Sequence, residues 1–387
     1  MFVYPAPRDA HAMEFDGYPP LTLYIHLPWC ARKCPYCDFN SHEAPAEIPA
    51  ERYVDALAAD LEQELPDVWG RPLEAIFIGG GTPSLFPPEA IDRLLARVRM
   101  YLNPAPDIEV TLEANPGSAE SARFAGYRAA GVNRLSLGVQ SFDDAALKRI
   151  GRIHSASEAD LDSAIALGVD HISWYQLTLE PNTVFWSQPP ALPEEETSAA
   201  IEAHGAERLQ AAGFDRYEIS AWARGESPRC RHNLNYWRFG DYLGIGAGAH
   251  GKLTLPDAAA IERRAKVRAP RAYLERADGP NCIADRRRLS AADAAFELCL
   301  NALRLPEGFS PAQFAERTGL PFAWLQRPLA EAEARGLIAH EVDGVRPTRR
   351  GLDFHNDLLA LIQAEIDQWG TGREAAAAIP IVSKGTA

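Results

Sequence analysis

A chain of 387 residues with 47% apolar and 24% charged side chains is long enough for one large domain plus a smaller one, and its balance is that of a globular protein. Its formal net charge of −14 opposes the phosphate backbone of nucleic acid and anionic lipid alike, so no nucleic-acid partner is expected. No apolar run reaches the roughly eighteen residues of a membrane span, and the N-terminus carries neither a basic nor an apolar leader, which points to the cytoplasm.

Residues 1–20 read as an N-terminal arm. From residue 21 onward, apolar or alternating runs recur at 21–28, 75–80, 107–114, 133–141, 171–180 and 216–220, with helical patterns between them. That rhythm predicts βα units on a parallel sheet. In ERYVDALAADLEQEL, Val54, Leu57, Leu61 and Leu65 share one helical face, and Pro66 is expected to end the helix. A second helix is expected after Pro87 and Pro88, with Ile91, Leu94, Leu95 and Val98 inward. GDYLGIGAGAHGKL closes this region, 21–255, as a glycine-rich strand or loop. The rhythm is then lost, and 256–285, rich in Arg and Ala, reads as a connecting arm. Over 286–368 three helices, a short β-wing and a last helix form a winged-helix pattern. The small-residue stretch 369–387 is expected to be a disordered tail.

Six cysteines in a reducing compartment are too few for a disulfide scaffold, and half of them fall in YIHLPWCARKCPYCDF. Cys230, Cys282 and Cys299 are scattered and read as small buried apolar side chains. Cys30, Cys34 and Cys37 are spaced C-x3-C-x2-C after the first predicted strand; three sulfurs converging on one point call for a soft metal. Zinc would need a fourth ligand, such as Asp38, His42 or a distant cysteine. An iron–sulfur cube held by three cysteines instead leaves one iron open to an outside ligand. A second signal, IFIGGGTPS at 76–84, places three glycines directly after an apolar strand. Such a run lets backbone amides approach a ligand, or simply makes a tight βα turn.

With these two motifs the chain resembles the radical-SAM superfamily, in which S-adenosylmethionine (SAM) chelates the open iron; Tyr36 fits the aromatic position before the third cysteine. LEANPG, NRLSLGVQSF, GRIH, WYQLTLEPNT and HNLNYWRFGDYLGIGAGAHG follow in order, and together these stretches resemble the coproporphyrinogen dehydrogenase-like branch and its haem chaperones. The resemblance implies a [4Fe–4S] cluster on Cys30, Cys34 and Cys37, with SAM and haem as further cofactors. It places Tyr24, Gly80 and Glu113 at a first SAM site, and Gly81, Thr82, Gln140 and Arg152 at a second. A buried Glu can accept from an ammonium or a ribose hydroxyl, and Arg can pair a carboxylate in bidentate fashion. Glu113 or Gln140 as a structural hydrogen bonder, and Arg152 as a surface ion pair, stand as alternatives. Haem candidates are His232, Tyr236 and His250, with an imidazole to ligate iron and rings to stack on a porphyrin. A structural histidine is the alternative at His232, and core packing at Trp237. Trp29 could shield the cluster from water.

The resemblance therefore implies a haem chaperone that passes haem to acceptor apo-haemoproteins, with peripheral membrane contact at the inner face of the membrane. The competing function is an oxygen-independent coproporphyrinogen III dehydrogenase. Phe39 stands where that enzyme carries a further cysteine, which argues against it. Between GRIH and HISWYQ only SASEADLDSAIALGVD is present, so roughly thirty residues, one whole αβ unit of the family, are missing. The family's SAM-contacting Asp lies on that strand. The expected architecture is an α/β partial, open radical-SAM βα barrel short of one αβ unit, five strands in place of six, with a C-terminal winged-helix-like α+β domain. Weakened SAM binding follows from it.

Overall fold

The computed structural model describes residues 13–115, 118–137, 165, 168–341 and 343–369. Alternating apolar runs and amphipathic helices build β1 (Leu21–Leu27), α1 (Ala50–Val68), β2 (Pro72–Gly80), α2 (Pro88–Tyr101), β3 (Asn103–Ala114), α3 (Ser118–Ala130) and β4 (Arg134–Leu137). The four strands pair in parallel in chain order. Leu21, Leu23, Ile25 and Leu27 are buried, and so are Val54, Leu57 and Leu61 of α1 and Ile91, Leu94, Leu95 and Val98 of α2. Pro66 does not end α1: the helix runs on to Val68, because a proline in the last turn forfeits one backbone bond without a following turn to disrupt.

Next come β5 (His171–Ser173), α4 (Glu195–Ala211), β6 (Asp215–Glu218) and β7 (Ala221–Ala223). The strand expected over 171–180 stops at Ser173 and pairs with β7, antiparallel, in a separate sheet of order β5-β7-β6. A three-residue strand has few ladder bonds to offer, and it spends them on a partner that the chain brings back beside it. Leu135 and Leu137 of β4 are correspondingly 37% and 43% exposed, and β4 ends the main sheet. Among the described residues the barrel is open, and the fifth strand expected in its wall is not in the main sheet.

The other side of the sheet holds more than the sequence reading expected. After α5 (Arg231–Trp237), β8 (Asp241–Ile245) pairs in parallel with β1. Then β9 (His250–Leu255), β10 (Ala260–Lys266), α6 (Pro270–Leu274) and β11 (Ile283–Arg288) follow, and the three strands extend the sheet as an antiparallel meander. The full order is β11-β10-β9-β8-β1-β2-β3-β4. The expected connecting arm 256–285 thus supplies sheet strands. What holds β10 down is ionic. Lys266 lies 2.5 Å from both Asp60 and Glu64 of α1, and Arg264 pairs with Glu64, with Asp67 at 2.5 Å and with Glu262 at 2.7 Å.

The C-terminal unit comprises α7 (Ala291–Ala302), α8 (Pro311–Thr318), α9 (Gln326–Ala334), a hairpin of β12 (Ile338–Glu341) and β13 (Gly344–Pro347), and α10 (His355–Ile366). Its boundaries follow local chemistry. Ser290 and Asp293 form a capping box on α7; Ser310 caps α8 ahead of Pro311; Gly319 takes the left-handed φ of +69° that ends α8. Leu298, Phe314, Leu325, Leu329, Val345, Leu358 and Ile362 form its separate core. The helix–helix–helix–wing–helix pattern expected from the sequence is the one observed.

Candidate functional site

Ligands of parallel α/β sheets sit at the carboxyl ends of the strands, and the cysteine loop and the glycine run of this chain both lie there. Cys30, Cys34 and Cys37 lie in the loop that leaves β1, each half-buried. A short parallel bridge fixes the loop at both ends, Trp29 to His42 and Cys30 to Glu43, with His42 N donating to Pro28 O at 2.8 Å and Ala44 N to Cys30 O at 2.8 Å. Trp29 roots it, only 5% exposed and edge-on to Tyr53 at 4.9 Å. Burial raises the Cys30 thiol pKa; the Thr82 hydroxyl counters this, and the neighbouring Cys37 and Cys34 raise it further. Mutual repulsion of this kind is what a bound cationic centre relieves. Among the described residues no three His, Cys, Asp or Glu side chains are already arranged to hold a metal ion, although Cys34 and Cys37 lie within electrostatic reach of Cys30. Of the fourth ligands considered for zinc, Asp38 is exposed and His42 points its Nε2 at Asn40 Oδ1, 3.3 Å away. The donor set here is three thiols, which fits a cluster with one open iron better than a closed zinc site.

The glycine run ends β2 beside this loop. Gly81 N donates to Leu27 O and Thr82 N to Trp29 O, both at 2.8 Å, which lashes the two strand ends together. A Cβ at Gly81 would sit 2.6 Å from Trp29 O, and Gly80 has φ +118°, so neither position accepts a side chain. Gly80 N donates to Glu113 Oε2 at 3.1 Å. Burial pushes the Glu113 carboxyl up to about 7, and the Gly80 hydrogen bond pulls the other way. Thr82 is buried, with Asn115 Nδ2 donating to its hydroxyl at 3.5 Å.

Tyr24 and His26 alternate onto the same side of β1. Tyr24 Oη lies 2.9 Å from His26 Nδ1, and His26 Nε2 lies 3.0 Å from the carbonyl oxygen of Asn40. A carbonyl only accepts, so the network assigns the proton to Nε2 and makes Nδ1 the acceptor of the tyrosine proton. The Tyr24 oxygen is left with lone pairs for a ligand. Burial holds the His26 pKa at about 4, so this tautomer stays neutral. His26 was not among the expected site residues, although the alternation that puts it beside Tyr24 was in view.

His232, on α5, is buried and stacks on Phe77 at 5.1 Å and Tyr24 at 6.2 Å. Its Nδ1 is buried without a partner among the described residues, and burial alone lowers its pKa to about 4. Tyr236 packs on Trp237 and Tyr242, and His250 is exposed on β9, two strands over from β1. His232 thus packs directly on the Tyr24 group, whereas His250 reaches it only electrostatically, through His26. Gln140 and Arg152 lie outside the described residues.

A sequence model of the Radical SAM superfamily matches residues 24–179, and one of the HemN C-terminal domain matches residues 289–354. Heme chaperone HemW of Escherichia coli is 44% identical over 380 residues, covering 90% of this chain and 99% of that protein. This chain belongs to the HemW family. Heme chaperone HemW of Haemophilus influenzae is 41% identical over 384 residues, covering 90% and 99%. The mitochondrial radical S-adenosyl methionine domain-containing protein 1 of Mus musculus is 31% identical over 396 residues, covering 90% and 88%. Among solved structures the coproporphyrinogen III oxidase (HemN) of Escherichia coli, described as a radical SAM enzyme, superposes with a TM-score of 0.71 at 21% identity over 91% of each chain, which shows the shared fold. The alignment to the Escherichia coli HemW spans 380 positions yet takes in 90% of this 387-residue chain. A gap of that size in this chain agrees with the absent αβ unit.

Proposed function

We propose that this chain is a haem chaperone that carries a [4Fe–4S] cluster on Cys30, Cys34 and Cys37, binds SAM beside it, binds haem, and passes haem to acceptor apo-haemoproteins. One observation carries the reading: a half-buried three-thiol loop, hydrogen-bonded at its root to a glycine run that abuts Tyr24 and Glu113, in a chain 44% identical to Heme chaperone HemW of Escherichia coli. The cluster, when bound, would supply one electron and an open iron. The protein's own residues do the rest. Tyr24, its proton committed to His26, and Glu113, ionised above about pH 7, accept from a ligand ammonium. Gly80 and Gly81 let backbone approach the ligand, and Trp29 keeps water from the root of the loop. Gly81 and Thr82, with Gln140 and Arg152, are assigned to a second SAM. His232, neutral and with a free Nδ1 lone pair or proton, is the haem ligand this geometry favours over Tyr236 and His250.

The runner-up, coproporphyrinogen dehydrogenation, is disfavoured by Phe39, 60% exposed where that enzyme carries a further cysteine. A cytoplasmic place, with contact at the inner membrane face during transfer, goes with the chaperone reading; no described helix is long and apolar enough to cross a membrane. The test is anaerobic iron and sulfide reconstitution, then haem titration and a porphyrinogen-turnover assay. Stoichiometric haem binding without product is expected. Rapid turnover of the porphyrinogen would reverse the ranking.

A further inference from the structure

Arg304 follows α7 directly and reaches from the C-terminal unit to the end of β6. Its Nε and Nη2 both donate to one oxygen of Glu218, at 2.9 and 2.5 Å. Glu218 is 2% exposed and its other oxygen accepts from Ser220 N at 3.2 Å, so the carboxylate is fixed on both sides. The flat face of the guanidinium lies over Trp237, 4.4 Å from the ring centroid. A guanidinium carries five N–H donors in a planar fork, and Glu218 takes two of them along one edge. The donors of the other edge, on Nη1 and the outer side of Nη2, have no partner among the described residues, and the side chain is 24% exposed.

A guanidinium oriented by a buried carboxylate, backed by an indole and open along its end is a preorganised receptor for a second carboxylate. Its surroundings are aromatic. Trp237 stands edge-on to Tyr236 at 5.0 Å, and Tyr175 is 64% exposed on the segment after β5. The Tyr175 hydroxyl is within electrostatic reach of Glu218, Arg304 and Glu113 together, so this aromatic side chain, the cation and the Glu113 end of the strands are neighbours. A planar aromatic ligand that carries carboxylates matches this combination of rings and cation.

We propose that Arg304, oriented by Glu218 and backed by Trp237, binds a propionate carboxylate of haem, so that the C-terminal unit contributes a recognition residue to the haem site. This rests on the haem-binding reading above. SAM also carries a carboxylate, and the test separates the two sources. Full-length, reconstituted wild type, Arg304→Gln and Arg304→Lys are titrated with haem, with its propionate dimethyl ester in the same detergent, and with SAM. The wild type is expected to bind the ester about tenfold more weakly than haem, the share of one charge-assisted pair. Arg304→Gln should lose the same factor for haem, show no change for the ester, and keep the wild-type SAM affinity. Arg304→Lys, which retains a cation for Glu218 and safeguards folding, should recover part of the discrimination. Equal weakening of haem and ester in both variants would assign Arg304 to packing and overturn the proposal. Loss confined to SAM, or a wild type indifferent to esterification, would overturn it too. A wild type that binds no haem would refute the chaperone reading itself, and this inference with it.

Discussion

Glu113→Gln should make the folded protein more stable while weakening its hold on SAM. Burial raises the Glu113 carboxyl from the ordinary 4.5 to about 7. For a carboxyl raised on folding, the native state favours the protonated form, so stability is fullest below about pH 4.5 and falls as pH rises through 7. The difference of 2.5 pKa units at 1.36 kcal/mol each sets a penalty of about 3 kcal/mol above pH 7. Glutamine keeps an oxygen for the Gly80 amide and has no charge to bury. Urea denaturation of the cluster-free wild type and variant at pH 5, 7 and 8.5 is the assay. The variant should be more stable by about 3 kcal/mol at pH 8.5, with the gap shrinking towards pH 5. SAM affinity, read by calorimetry at pH 8 on the reconstituted proteins, should fall about tenfold or more, since the methionyl ammonium loses an ionised partner. A stability gap that does not change with pH would refute a buried, titrating Glu113, and an unchanged SAM affinity would remove it from the site.

Three further expectations follow from the same geometry. Gly81→Ala drives a methyl to 2.6 Å from the Trp29 carbonyl, which is backbone and cannot swing aside; the thermal midpoint should drop, by about 2 kcal/mol of stability, and iron incorporation should fall with it. Lys266→Met leaves Asp60 and Glu64 buried without their shared cation and should cost about 3–5 kcal/mol in urea denaturation, whereas a neutral result would mean that water reaches the pair. SAM should bind more weakly to this chain than to the Escherichia coli relative under identical reconstitution, because β4 is the last strand of the main sheet and its side chains are exposed; equal dissociation constants would show that the missing unit carries no binding energy.

Local chemistry wrote much of the fold openly in the sequence. The βα rhythm from Leu21 to Leu137 is apolar alternation, the C-terminal helices begin at Ser290 and Ser310 with capping side chains, and the cysteine loop and glycine run announce themselves by residue type and spacing. His26 escaped because a histidine between apolar neighbours looks structural until its two ring nitrogens are found joining Tyr24 to the cysteine loop. Arg304 and Glu218 escaped because they are 86 residues apart and only the docking of the two units makes them a pair.

The clearest division falls at β10. Sequence alone determined that the chain has a parallel βα core with a three-cysteine loop after its first strand, since both are encoded by the period and type of neighbouring residues. It could not show that AIERRAK is an internal strand of the sheet, because the face this strand buries is charged: Glu262, Arg264 and Lys266 are 4%, 5% and 1% exposed. A reading based on apolar periodicity takes such a face for a solvated one. Only tertiary structure supplies Asp60, Glu64 and Asp67, three and four residues apart on one face of α1, and with those partners the charges are neutralised and the strand is drawn into the sheet.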